Sequence, residues 1–145
     1  MTHRVVVTGM AGISPLGCDW PSVFAKLKSY TNAIRYMKEW EVIEGLNSLL
    51  AAPAAPFELS ERFTRRSMRS MSRNSIMACR TAELALKDAG LIDADWIHDG
   101  DMGIAYGSCA GDPKSFEEIA ALLHEHTTRG LNATTYVRFM SHTSA

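Results

Sequence analysis

Cysteine is scarce in this 145-residue chain: three residues, Cys18, Cys79 and Cys109, far apart and odd in number. They form neither a metal-binding spacing nor a disulfide framework, which predicts a reducing, cytoplasmic setting. Net charge is equally sparse, at -1. No bulk field therefore favours nucleic acid or an anionic membrane. Long apolar runs are missing too. Val5–Val7 is too short for the core of a secretory leader, and no stretch approaches the roughly 18 apolar residues that span a bilayer. There is no internal repeat and no low-complexity tract. What remains is ordinary globular composition, 46% hydrophobic and 21% charged, on a chain long enough to bury a core.

Two short motifs flank a helical segment. Residues 4–17 read RVVVTGMAGISPLG, an apolar strand entering a glycine turn. Residues 102–111 read MGIAYGSCAG, a second strand into a second small-residue turn. An uninterrupted apolar run predicts a strand at Arg4–Thr8, buried on both faces, and Met102–Tyr106 reads as the next strand. Asp19 predicts a capped helix at Pro21–Ser29 with Val23, Phe24 and Leu27 inward. Residues 30–59 are less regular: Trp40–Ile43 reads as a short strand and Ala51–Pro56 as a surface loop. From Ser60 the period is helical. Met68, Met71, Ser75, Ala78, Cys79, Ala82, Leu86 and Ala89 share one face, and Gly90 stops the helix. Asp112 and Pro113 predict a further helix start, Gly130 its end, and Leu131–Ala145 a loop entering another helix.

Three signals bear on chemistry. A strand followed by TGMAG has the look of a dinucleotide-binding turn. The match is poor, because Pro15 removes a donor, the next helix begins only near Trp20, and no acidic residue ends a second strand at the required distance. A tight structural turn is the alternative, and nothing else predicts a cofactor. Gly107-Ser-Cys-Ala-Gly111 places Cys109 in the frame of a nucleophile elbow, with Asp112, His124, His126 and His142 following it. The plain alternative is a small residue in a tight turn. Finally, Arg62, Arg66, Arg69, Arg73, Arg80 and Lys87 form one stripe if residues 62–88 are a single helix. The acids of that helix, Glu83 and Asp88, lie in its C-terminal half, so its start is basic. That suits an acidic protein partner, or is simply a solvated face. Nucleic acid is disfavoured, since no aromatic residues interleave with the arginines.

As an ordered set, RVVVTGMAGISPLG, SMSRNSIMACRTAELALKDAGL and MGIAYGSCAG resemble the N-terminal part of the β-ketoacyl-[acyl-carrier-protein] synthases. The resemblance implies an α/β architecture: part of a layered αβαβα thiolase-like fold, a mixed sheet with helices on both faces. It implies that residues 1–145 are an incomplete domain of a larger homodimeric enzyme. The implied reaction is a decarboxylative Claisen condensation, in fatty acid or polyketide synthesis, with an acidic acyl carrier protein as partner. The family's nucleophilic cysteine and two histidines would lie beyond this sequence. Cys109 then belongs to structure, with Ser108, Cys109 and Ala110 matching a turn of the acyl pocket. Arg66 and Arg69 match the carrier-docking region best, with Arg65 and Arg73 beside them and Arg129 and Arg138 as a second contact. Two readings stand beside this one: a non-catalytic carrier-docking or partner subunit, and a small cysteine hydrolase using Cys109.

Overall fold

The computed structural model describes residues 4–109 and 111–140. The chain divides into two units, Ala11–Glu58 and Met1–Met10 with Leu59–Ala145.

In the smaller unit, Ser14 and Gly17 exchange backbone hydrogen bonds of 3.0 and 3.2 Å around Pro15. The Ser14 hydroxyl accepts from the Leu16 amide. The amides of this turn are thus spent internally, as a tight structural turn requires. Helix α1, Trp20–Lys28, starts where Asp19 accepts from the Ser22 amide at 2.8 Å. Phe24 and Leu27, predicted inward, stand about half exposed, and α1 buries no residue. Strands β1 (Arg35–Tyr36) and β2 (Leu50–Ala51) pair antiparallel, with Arg35 opposite Ala51 and Tyr36 opposite Leu50. The segment predicted as a strand at 40–43 is instead a 3₁₀ turn, Lys38–Trp40, running into a further turn. Its single turn is closed by the Trp40 and Glu41 amides on the Met37 and Lys38 carbonyls.

The larger unit is built on three helices: α2 (Arg73–Asp88), α3 (Pro113–Glu125) and α4 (Ala133–Phe139). Helix α2 begins at Ser72, whose hydroxyl accepts from the Ser75 amide at 3.0 Å. Before it, Ser67–Ser70 forms a separate 3₁₀ turn. The predicted continuous helix from residue 62 is therefore broken. Serines explain the break: Ser67 donates to the Thr64 carbonyl at 2.9 Å and Ser72 has extended backbone geometry. Such hydroxyls compete with helical hydrogen bonds and favour caps. Gly90, at φ +71, ends α2 as expected. Helix α3 stops at Glu125, where His126 turns left-handed at φ +54, and not at Gly130, which sits in the following turn. Helix α4 packs on α3 and on the 3₁₀ turn.

The predicted strands at 4–8 and 102–106 make no ladder among the described residues. Val5, Val6, Val7 and Ile104 are 95%, 66%, 78% and 79% exposed. Among the described apolar residues only Met37 and Ala78 are buried. A strand needs a neighbour for its amides and a cover for its faces, and neither segment has one here. Full burial of each such side chain is worth about 1.5–3 kcal/mol. Four of them together match much of the net stability of a whole domain, about 5–15 kcal/mol.

One close approach fixes the first segment to α2. Gly9 lies so near the Ala85 carbonyl and Ala89 that a Cβ would overlap them. The Met10 amide then donates to Asp88 at 2.9 Å. A glycine stands here because a helix passes over it.

Candidate functional site

The basic segment spans residues 62–73, with five arginines in RFTRRSMRSMSR. The fold divides them. Arg62 reaches Asp93 at 2.6 Å and Glu83 at 3.9 Å. Arg80, on α2, reaches Glu83 at 2.6 Å. Arg65, Arg66, Arg69 and Arg73 are all exposed and form no salt bridge among the described residues. Arg66 and Arg69 are three apart around a 3₁₀ turn, a geometry that eclipses side chains and sets both on one face. Arg73 is the first residue of α2, whose first turn carries no acid. The N-terminal partial charge of the helix adds to that of the guanidinium groups. The four residues singled out in the sequence are thus exposed cations with no salt bridge among the described residues.

Beside it runs an open groove of about 360 Å³, bounded by Phe63, Met71, Cys79, Ala82, Leu86 and Ile92, with Arg62 and Glu83 also lining it. The apolar face read from α2's periodicity is real, but divided. Ser75 and Ala78 are buried, while Cys79 and Ala82 face the groove. Phe63 and Ile92 belong to no periodic pattern, so no sequence signal placed them there. Burial pushes the Cys79 thiol up, away from thiolate chemistry.

Glu83 is the ionisable pivot of this wall. Burial raises its carboxyl, but hydrogen bonds from Ser60 and Arg80 and the charges of Arg80 and Arg62 more than offset that, leaving it below the ordinary 4.5. Its pairing therefore stabilises the fold above that value and is lost as pH falls through the lowered one. Thermal stability should drop as pH is taken below 4.5. Glu83→Gln should flatten that part of the profile, as calorimetry at several pH values would show.

The second predicted site is the turn at 107–112. Ala110 lies outside the described residues. Ser108 is half-buried and Cys109 exposed. Gly111 and Asp112 are buried. The Asp112 amide donates to the Arg138 carbonyl at 3.0 Å, and Gly111 lies directly against the Phe139 backbone. Asp112 starts α3 through its backbone: its carbonyl accepts from the Ser115 and Phe116 amides. Among the described residues its carboxylate takes a long 3.4 Å bond from the Ser115 hydroxyl.

Nothing described completes an elbow around Cys109. His124 stands near the far end of α3, about 16 Å of helix rise from Pro113, and His126 caps that same end. His142 lies outside the described residues. No group of described residues is arranged to hold a metal ion, and no described helix is long and apolar enough to cross a membrane.

Arg138 is not the exposed docking cation the sequence predicted. Its guanidinium is largely covered and pairs with Glu118 on α3 at 3.3 Å. Thr135 donates to the same carboxylate at 2.5 Å. Sequence reasoning missed this cluster because its members lie 17 and 20 residues apart, on two helices. Arg129 is exposed, as expected.

The helices and the small sheet are consistent with part of an α/β fold of the thiolase type, which comparison with a solved structure shows. A crystal structure of a beta-ketoacyl synthase from Burkholderia phymatum STM815 superimposes with a TM-score of 0.92 at 40% identity. It covers 99% of this chain and 35% of that one. The family described as Beta-ketoacyl synthase, N-terminal domain, matches residues 2–145, and the chain belongs to it. Nodulation protein E of Rhizobium meliloti (strain 1021) is 32% identical over 91 residues, and that of Rhizobium sp. (strain N33) 31% over the same length. Each of these alignments takes in 63% of this chain. The chain spans about a fifth, 22%, of each of these relatives.

Proposed function

We propose that residues 1–145 are the opening part of a β-ketoacyl-[acyl-carrier-protein] synthase domain. The observation that carries this reading is the likeness at 40% identity across nearly the whole chain. In this reading a cysteine beyond these residues, at a helix N-terminus that lowers its pKa, attacks an acyl-carrier thioester. The acyl group moves to sulfur and the carrier thiol leaves. Malonyl-carrier then loses CO₂. Its enolate, stabilised by two histidines also outside this sequence, attacks the acyl carbonyl and expels the enzyme thiolate.

Two parts of the reaction fall to this chain. Arg65, Arg66, Arg69 and Arg73 receive the acidic carrier, and their exposure with no salt bridge among the described residues supports that role. Ser108, Cys109 and Ala110 contribute to the wall of the acyl pocket. The enzyme acts in the cytoplasm, as a homodimer, in fatty acid or polyketide synthesis. A non-catalytic docking subunit shares the arginine argument but not the downstream cysteine.

The test is condensation by the full-length protein. Incubated with acyl- and malonyl-carrier, it should release CO₂ and form a β-ketoacyl-carrier, whereas residues 1–145 alone should do neither. Carrier binding by the full-length protein without either product would favour the docking subunit. Turnover by residues 1–145 alone would contradict the proposal.

A further inference from the structure

The turn that carries Ser108 and Cys109 is held from outside itself. Its last two residues rest on the end of α4: the Asp112 amide donates to the Arg138 carbonyl at 3.0 Å. A Cβ at Gly111 would overlap the Phe139 carbonyl. Phe139 also meets Phe116, on the first turn of α3, edge to face at 4.8 Å between ring centres. Helix α4 is only seven residues long, too short to be stable without tertiary contacts. Something must anchor it.

The anchor is polar. Glu118, on α3, takes both Arg138 at 3.3 Å and Thr135 at 2.5 Å. Glu118 and Arg138 are 14% and 17% exposed, and Thr135 is buried. The Thr135 hydroxyl also accepts from the Asn132 amide at 3.2 Å, tying the same carboxylate to the start of α4. The Arg138 Nε is buried and meets no acceptor among the described residues. Among the described residues, then, the guanidinium is held through its terminal nitrogen on Glu118. A covered ion pair is costly to form, and its best-attested use is to fix one arrangement among several. Here the arrangement fixed is that of α4 on α3, and with it Gly111 and Asp112.

We propose that Arg138 is a positioning residue for acyl-chain selection: through Glu118 it clamps α4 to α3, and α4 in turn holds Gly111 and Asp112, close in sequence to Ser108 and Cys109. This rests on the reading of that turn as a wall of the acyl pocket. A wall displaced by a fraction of an ångström changes which chains fit, much as one methylene does in other apolar pockets.

The full-length protein, its Arg138→Met and Arg138→Lys forms, and a milder Thr135→Val form would be compared in two assays. The first is the ratio of kcat/KM for a short and a long acyl-carrier. The second is the rate of maleimide labelling at Cys109, resolved by peptide mass spectrometry, with Cys79 as the internal control. Arg138→Met should shift the ratio about tenfold and change the rate of Cys109 labelling while that of Cys79 is unchanged. Arg138→Lys, which keeps the charge and a donor, should restore most of both. Should Arg138→Met also change Cys79 labelling, Thr135→Val is judged by the same two criteria. A ratio unchanged in a folded variant overturns the proposal, as does a shifted ratio with Cys109 labelling unchanged. If the unmutated protein condenses nothing, the proposed function falls, and Cys109 labelling alone decides whether the clamp exists.

Discussion

Reversing the charge at two positions, Arg66→Glu with Arg69→Glu, should weaken capture of an acidic acyl carrier by about 10- to 100-fold at low ionic strength. Both side chains lie on one face of the 3₁₀ turn and neither has an acidic partner among the described residues. The substitution therefore breaks no internal bond, and the fold should survive it. The loss should appear mainly in the association rate. It should also shrink as salt rises, because exposed charges are screened beyond about 8–10 Å. Surface plasmon resonance against the carrier at several salt concentrations checks both features. Arg62→Glu is the informative contrast, since Arg62 is engaged by Asp93 and Glu83. It should cost stability through the loss of those pairs, where the exposed arginines should not. Equal affinity for the doubly reversed and unmutated proteins would remove the docking role from this strip.

Gly111→Ala should be the most damaging single methyl in the described structure. The added carbon would sit within the van der Waals radius of the Phe139 carbonyl, and what it meets is backbone, not the end of a flexible side chain. Either the turn at 107–112 or the end of α4 must move. Overpacking of this sort costs about 3 kcal/mol. Movement would also lengthen the Asp112 amide bond to the Arg138 carbonyl and disturb the Phe116–Phe139 contact. Lys114→Ala, in the first turn of α3 and exposed, should stay within about 0.5 kcal/mol of the unmutated protein. Thermal inactivation of the full-length forms would separate the two. An unshifted Gly111→Ala curve would mean that α4 does not rest on this glycine as described.

Local signals in the sequence were read well where a single residue decides the outcome. Asp19 announces α1, Pro113 sits in the first turn of α3, and Gly90 ends α2. Where two short-range preferences compete, the sequence pattern and the fold part. Thr64, Ser67 and Ser72 broke the long helix that its apolar period implied. His126 adopted the left-handed stop expected of Gly130. Strands failed for a different reason. Val5–Val7 and Met102–Tyr106 have strand composition, but a strand exists only with a partner for its amides, and none of the described segments provides one.

The candidate site follows the same division. The cationic strip is visible as composition, because five arginines in a short span need no fold to be noticed. Its separation into four arginines with no salt bridge among the described residues and an engaged Arg62 is not visible, since Asp93 and Glu83 arrive from elsewhere in the chain. Arg138 shows the limit most clearly. By charge it belongs with the docking cations; by geometry it belongs to Glu118 and the interior.

Amide hydrogen exchange at residues 4–8 and 102–106 addresses the central claim most directly, that these segments are inner strands of a layered sheet finished by chain beyond this portion. The amides should exchange within seconds in residues 1–145 alone and be protected for hours or longer in the full-length protein. Slow exchange in residues 1–145 alone would show that this portion closes its own sheet, and would contradict the account.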